Sequence, residues 1–370
     1  MVTTRVDTLV IGGGAMGSAA AWQIARRGRD VALLERFAPG HSNGASHGAS
    51  RNFNLSYDEP HYLALLAEAL PLWRELEAES GTQLLDQVGI VNHGPTTRFE
   101  SVHGALSAAG FTAELLGTEA AAERWPGIRF DTRVLFTPQA GRLNADAAVR
   151  ALQQAATRHG ARVLHNTRAV HLEVSGTDRV FVATDIDTFE ARRVVVTLGA
   201  WTESFLGTTV PLPRLVVTQE QPAHFARLDE SHAWPGFNHS AEPGSAVYDF
   251  WPSHVYGMYT PGEGIKAGWH GVGPVVDPDR RSFTSEPQQL QALRRYVREW
   301  LPGADPDVFT EISCTYTTTP DSNFVLDRRG PIIVGAGFSG HGFKFTPAVG
   351  LVLADLADGV SAPPFFALQR

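Results

Sequence analysis

One glycine-rich turn near the start of the chain constrains the fold more than any other stretch. Gly12-Gly13-Gly14-Ala15-Met16-Gly17 fits G-x-G-x-x-G. A short apolar run of strand type, Asp7–Ile11, leads into it. A helical stretch follows from Ser18 to Arg27, with Gly28 as its stop. A second apolar run, Asp30–Leu34, ends in Glu35. Strand, glycine turn, helix, strand and acid together describe a dinucleotide-binding βαβ unit. Gly12 allows the tight turn, Gly14 lets the backbone approach a pyrophosphate, and Gly17 lets helix and strand pack closely. The helix N-terminus offers free N–H groups to the phosphates. Glu35 is placed to accept from a ribose 2′-OH, which disfavours NADP and leaves NAD or FAD.

Composition bounds the rest. A chain of 370 residues has room for two domains or one elaborate one. Its 31 basic and 39 acidic residues give −8, which argues against nucleic acid or an anionic membrane surface as partner. No signal peptide and no membrane span are expected, because the first apolar run is cut by glycines and no later one is long enough. The single cysteine, Cys314, excludes an intrachain disulfide framework and every multi-cysteine metal site. It fits a reducing, cytoplasmic compartment. Glycine is in excess, 36 residues, and much of it sits in a few polar loops. One is the long stretch His41–Arg51, which suits either a surface loop or contacts to a bulky polar cofactor.

Further motifs follow in order. They are His47-Gly48-x-x-Arg51, the apolar run Val194–Leu198 with Gly199-Ala200-Trp201, and Gly264-Ile265-Lys266-x-Gly268-x-His270. Then come Cys314-x-Tyr316 and the glycine-rich stretch Gly335–Phe345, which precedes an apolar helical stretch, Pro347–Leu356. Val194–Leu198 reads as a buried parallel strand. On residue type alone, Cys314 reads as a small buried hydrophobe and Lys266 as a solvated lysine. Tyr62–Leu76 carries Leu66, Leu70 and Trp73 at helical spacing, and Glu286–Leu301 is a second amphipathic helix.

With these motifs the chain resembles the D-amino-acid-oxidase superfamily of FAD enzymes, and within it the branch of monomeric sarcosine oxidase and N-methyltryptophan oxidase. The likeness runs over nearly the whole chain. It implies an α/β fold in which a Rossmann-like FAD-binding domain interleaves with an α+β substrate domain on a mostly antiparallel sheet. The expected FAD-binding pieces are 1–86, 144–212 and 313–370, with 87–143 and 213–312 forming the substrate domain. The implied activity is oxidation of a secondary amine, or an N-methyl or cyclic amino acid, to an imine, with O2 reduced to H2O2. The alternatives are an FAD dehydrogenase with another acceptor and, more remotely, a non-catalytic dinucleotide-binding protein. A monomer or small homo-oligomer is expected.

By the same resemblance Cys314 carries the flavin covalently as a thioether, which would raise its reduction potential. Lys266 sits over the flavin and activates O2, where a fixed ammonium stabilises the superoxide charge. Arg51 matches the flavin-proximal arginine. The cofactor would further be held by Gly12, Gly14, Ala15, Met16, Gly17, Glu35, Arg36, His47, Ser50, Val170, Gly199 and Trp201. The C-terminal loop would add Gly337, Ser339, Gly340, His341, Gly342 and Lys344. His270 and Tyr316 are expected near the amine, and Tyr256, Tyr316 and Lys344 around the substrate. One departure stands out. Where the family's small amino-acid oxidases have a second arginine on the substrate carboxylate, this chain has Asn54. A charged clamp becomes neutral hydrogen bonds, about half as strong. With the aromatics Tyr248, Phe250, Trp251, Tyr256, Tyr259 and Trp269 nearby, a substrate bulkier than sarcosine is expected.

Overall fold

The computed structural model describes residues 3–369 apart from Thr97 and Pro243. Its centre is the strand Thr3–Ile11, which runs parallel to Val31–Leu34 on one side and to Thr188–Val196 on the other. Arg162–Leu164 extends the parallel sheet beyond Val31–Leu34, and Ile332–Ala336 lies parallel to the far edge of Thr188–Val196. Antiparallel additions complete eight strands: Val325–Arg329 beside Ile332–Ala336, and the meander Ala169–Val174, Val180–Thr184, Thr188–Val196. Both faces of this sheet are covered where its central strands end, so those ends are apolar: Leu9, Val10, Val194, Val195 and Val196 are fully buried. Helices Ala15–Ala25, Ala145–Arg158 and Thr346–Asp358 cover one face.

The second eight-stranded sheet has the order Ala304–Glu311, Ala223–Arg227, Gly264–Trp269, Val255–Thr260, Gly236–His239, Ile90–His93, Val134–Thr137, Glu114–Leu116. Every pairing in it is antiparallel except Gly236–His239 with Ile90–His93. Helix Pro287–Trp300 packs Leu293, Tyr296, Val297 and Trp300 onto it. Two small sheets lie between. One pairs Val216–Glu220 with Cys314–Thr318, and the other orders Arg51–Phe53, Gly141–Leu143, Leu85–Asp86.

Element limits shift from the expectations for local reasons. The first helix starts at Ala15, inside the glycine motif, because Gly14 is already extended and serves as its N-cap. It ends at Ala25, before the Arg26–Gly28 turn. The strand expected over Val194–Leu198 runs from Thr188 to Val196, and Gly199–Trp201 forms a 3-10 turn beyond it. The long helix spans Pro60–Ser80, with Pro60 in its first turn, where no donor is needed, and Gly81 closing it at φ 67°. No helix among the described residues is long and apolar enough to cross a membrane.

Candidate active site

A cleft of about 620 Å³ opens at the carboxyl ends of Thr3–Ile11 and Val31–Leu34, where ligands of such sheets bind. Gly12–Gly14, Glu35–Phe37, Thr167–Val170, Leu198, Gly199 and Trp201 line it. Close approach dictates two of the glycines: a Cβ on Gly12 would lie 2.5 Å from Thr197 O, and one on Gly17 would lie 1.9 Å from Gly12 O. A Cβ on Gly14 would meet only the Ser46 hydroxyl, at 3.1 Å. That hydroxyl accepts from Ala15 N, at the amide end of the helix, at 3.0 Å.

Glu35 is less free than the sequence implied. Its carboxylate accepts from Gly13 N at 2.8 Å and Phe37 N at 2.9 Å, with His41 Nε2 3.5 Å away. Burial pushes this carboxyl up, but His41 and the two amides outweigh it and hold it below its ordinary range. Two of its four lone-pair positions remain for a ligand hydroxyl. At the mouth, Arg36 Nη1 and Trp201 Nε1 share Asp279 Oδ1, at 2.7 and 3.0 Å. Val170 is half exposed on the rim. Asp279 had no signal in the sequence.

From the cleft the His41–Ser50 loop leads to a second cluster. Arg281, also unforeseen, pins the loop by donating to Ser42 O and Asn43 O at 2.8 and 3.0 Å. Arg51 donates to Ser50 O at 2.8 Å and Ala45 O at 2.9 Å, and its Nη2 lies 3.8 Å from Cys314 Sγ. Cys314 opens its strand half-buried, with Sγ also 3.8 Å from Ala45 O, a residue that lines the cleft. Lys266, 4% exposed, donates to Ser50 O at 3.2 Å. Burial and then the Arg51 charge pull its ammonium down to about 7. His47 lies in the same field. Burial, Arg51, Lys266 and Arg281 hold it down to about 3, and its Nε2 finds no hydrogen-bond partner among the described residues.

A third group faces the same space. Tyr316 OH and His270 Nδ1 lie 3.2 Å apart, with Tyr256 ring-to-ring against His270 at 6.3 Å. Burial, followed by the His254, His341 and Lys344 charges, pulls His270 to about 3, so the ring is neutral at pH 7. Burial lifts the Tyr256 and Tyr316 hydroxyls well above 10, so both stay protonated. Lys344, buried and thereby lowered to about 7, donates to Tyr57 OH at 2.9 Å and His341 O at 2.7 Å. His341 Nδ1 lies 3.1 Å from the same Tyr57 hydroxyl. The loop beneath needs its odd backbone: Gly340 has φ 76°, and a Cβ there would lie 2.2 Å from the Tyr316 ring. Gly337 at φ 66° would collide with Thr319, and Gly342 would collide with Phe338. Ser339 holds φ 47° with its hydroxyl on Gly337 O.

Asn54 does not join this group: its Oδ1 accepts from Ser56 N at 3.1 Å, a local turn. Tyr57, three residues further on, is the polar group beside Lys344, and the sequence reading missed it. Residues from distant parts of the chain thus converge around one space that is rich in positive charge. The residues present fit a flavin dinucleotide. The glycine cradle and helix amides suit a pyrophosphate, Glu35 suits a ribose, and the His47 nitrogen and neighbouring cations suit a polar ring that gains negative charge on reduction.

Comparisons with known proteins agree. The family DAO, FAD dependent oxidoreductase, matches residues 7–356. Monomeric sarcosine oxidase of Bacillus sp. (strain B-0618) is 33% identical over 375 residues, covering 96% of this chain and 93% of that protein. N-methyl-L-tryptophan oxidase of Yersinia pestis (strain Pestoides F) is 30% identical over 369 residues, covering 96% of each. Among solved structures, NikD, an unusual amino acid oxidase essential for nikkomycin biosynthesis, superposes with a TM-score of 0.88 at 27% identity, over 99% of this chain and 98% of that one.

Proposed function

The chain belongs to the DAO family of FAD-dependent oxidoreductases, and on that premise we propose an oxidase of secondary amines, acting on an N-methyl or cyclic amino acid and reducing O2 to H2O2. One observation carries the reading: Arg51, Lys266 and Cys314 lie together beside the dinucleotide cleft, with a second buried lysine, Lys344, on the Tyr57 hydroxyl nearby. Bound in the cleft, FAD would supply the redox chemistry, as acceptor of a hydride equivalent from the carbon next to nitrogen and donor of electrons to O2.

The residues do the rest. Arg51 presents fixed positive charge where negative charge develops, and Lys266, poised near pH 7, adds its own when protonated, in a site from which water is largely excluded. That field disfavours an ammonium, so the substrate binds as the neutral amine. Neutral His270, braced by Tyr316, orients that amine through a hydrogen bond. Lys344 and the Tyr57 hydroxyl hold the carboxylate in place of the missing arginine. With Asn54 turned away, Tyr256 and Tyr316 wall a pocket that favours a substrate larger than sarcosine. Cys314 Sγ carries the thioether to the cofactor. Segments 1–86, 144–212 and 313–370 act as the FAD-binding domain, and 87–143 with 213–312 as the substrate domain. A cytoplasmic setting suits a chain with one cysteine and no disulfide.

A panel of sarcosine, N-methyl-L-tryptophan and L-proline, read by H2O2 release, tests the function. Turnover without peroxide would replace the oxidase by a dehydrogenase, and sarcosine as the best substrate by a wide margin would overturn the larger-substrate reading. Acid precipitation tests the link. A yellow pellet supports it, while a colourless pellet from a yellow protein removes Cys314 attachment and leaves FAD.

A further inference from the structure

Three carboxamides that the chemistry above does not use form a row on the second large sheet. Asn52 Nδ2 donates to Asn238 Oδ1 at 3.2 Å, and Asn238 Nδ2 donates to Asn92 Oδ1 at 2.9 Å. Asn92 Nδ2 in turn donates to Ser56 Oγ at 2.9 Å and reaches Leu135 O at 3.5 Å. A backbone carbonyl only accepts, so Leu135 fixes the direction of the row and leaves Asn52 to end it as an acceptor. Asn52 Oδ1 is buried and has no partner among the described residues. Both ends of the row belong to one short segment. Asn52 follows Arg51, and Ser56 precedes Tyr57, whose hydroxyl takes the Lys344 ammonium.

Strand register decides what the row faces. Asn238 pairs with Asn92 on one side and with Tyr256 on the other, and Tyr256 pairs with Gly268. Residues directly opposite one another share a face, so Asn92, Asn238 and Tyr256 do, together with Lys266, two residues before Gly268. The other face is the one under helix Pro287–Trp300, where Val91, Phe237, Val255 and Ala267 pack. The carboxamides therefore lie on the side of Lys266 and of Tyr256, whose ring faces His270. Asn238 is one strand spacing, about 4.8 Å, from Tyr256. Asn52, Asn92 and Asn238 are half-buried, and what stays exposed of them looks into the space over this face. The row carries no charge. Arg142, paired with Asn52 on the next strand, is spent on Asp86 and on Tyr259 O.

We propose that Asn238, backed by Asn52 and Asn92, determines which amino acid is oxidised, by binding a side chain that ends in a neutral group able both to donate and to accept, a hydroxyl or a carboxamide. The proposal deepens the oxidase reading above and rests on it. Among the described residues Asn238 gives one N–H to Asn92 and takes one from Asn52, which leaves it one N–H and one lone pair. A hydroxyl or a carboxamide matches both. An apolar side chain of the same shape would leave them unpaired, and pockets discriminate most sharply in that way, because a polar group left without a partner costs more than a hydrogen bond gains. A charged side chain would find no ion partner in the row. A network that served only to fasten residues 52–56 to the sheet would close on itself, whereas this one keeps capacity on the substrate's side.

The test uses purified holoenzyme and two matched pairs, read by peroxide release. N-methyl-L-asparagine is set against N-methyl-L-leucine, which has the same shape, and trans-4-hydroxy-L-proline against L-proline. In at least one pair the polar member should have the higher kcat/KM by roughly tenfold or more, mostly through KM, as one or two neutral hydrogen bonds would give. Asn238→Leu should reverse that preference, lowering kcat/KM for the polar member and raising it for the apolar one. Asn238→Ser keeps a donor and an acceptor and should retain part of the preference. The comparison within the parent protein needs no variant, so it decides the matter even if Asn238→Leu fails to fold. Equal activity on both members of each pair, or a preference for the apolar members, would overturn the proposal. An equal loss on both members in Asn238→Leu and Asn238→Ser would make the row a structural link between Arg51 and Tyr57, and would also overturn it. No peroxide from either pair, with sarcosine or N-methyl-L-tryptophan oxidised, would overturn the proposal alone, whereas no peroxide from any of these amines would remove the oxidase reading with it.

Discussion

Lys266→Met should make the protein more stable while disabling it toward O2. The ammonium is held at about 7 rather than 10.5, chiefly by burial. A shift of that size means that the folded protein bears about 5 kcal/mol for keeping this group charged. The sign follows from proton binding. Between pH 7 and 10.5 the unfolded lysine is protonated and the folded one is not, so the lysine's cost to stability falls as pH rises. At pH 7 the penalty is about 4 kcal/mol, at pH 9 about 2 kcal/mol, and near pH 10.5 it is almost gone. Losing the 3.2 Å bond to Ser50 O gives back about 1 kcal/mol. Methionine fills a similar volume and carries no charge. Denaturant unfolding of the two proteins across pH 6.5–10 should therefore show the variant ahead by about 3 kcal/mol at pH 7, with a gap that narrows as pH rises. Reoxidation by O2 should fall by about 10²–10³-fold, the usual effect of removing one fixed charge or donor from a developing anion. A variant less stable than the parent at pH 7, or a gap that ignores pH, would refute the argument that this lysine is a strained cation kept for its charge.

Three other outcomes are expected. Tyr57→Phe removes the hydroxyl 2.9 Å from Lys344 Nζ, and should raise KM for an N-methyl amino acid by roughly tenfold while leaving a carboxylate-free amine unaffected; equal effects on both would exclude Tyr57 from carboxylate binding. Gly340→Ala places a Cβ 2.2 Å from the Tyr316 ring at φ 76°, and should cost about 2–3 kcal/mol in unfolding measurements. The stacked pair His93 and His239, 3.8 Å apart, is held neutral by burial, His93 down to about 3. Unfolded histidine titrates near 6.5, so the stability that the pair contributes is present above that pH and lost progressively below it; His93→Leu should flatten the loss between pH 6.5 and 4 in a thermal melt.

The parts of this molecule legible in its sequence are those where local chemistry repeats a rule. The βαβ start was readable because turn, helix and acid lie within 36 residues, though the helix begins three residues earlier than its polar pattern suggested, at Ala15. Val194–Val196, the end of the strand Thr188–Val196, was readable because both faces of the sheet are covered there; the charged first part of that strand was not. The meeting of Arg51, Lys266 and Cys314 was not legible from spacing: they lie on three different sheets, and only resemblance to a family put them in one place. Tyr57, Arg281 and Asp279 went unseen for a simpler reason. Each acts through a partner more than 35 residues away, and nothing in its own neighbourhood marks it. Asn54 is the converse case. Its position in a motif suggested a ligand contact, and a backbone amide two residues away took its oxygen instead.

The strand Thr188–Val196 is flanked by Thr3–Ile11 on one edge and by Ile332–Ala336 on the other. This order has a consequence for synthesis. A ribosome that has released the first 200 residues has exposed the glycine cradle and Arg51, but one edge of the central strand still waits for a neighbour that is about 130 residues away. Cys314 and Lys344 arrive with that same late segment. The site is therefore completed only with the end of the chain, and a nascent chain stalled before residue 332 would leave the Val194–Val196 edge open for a chaperone to shield.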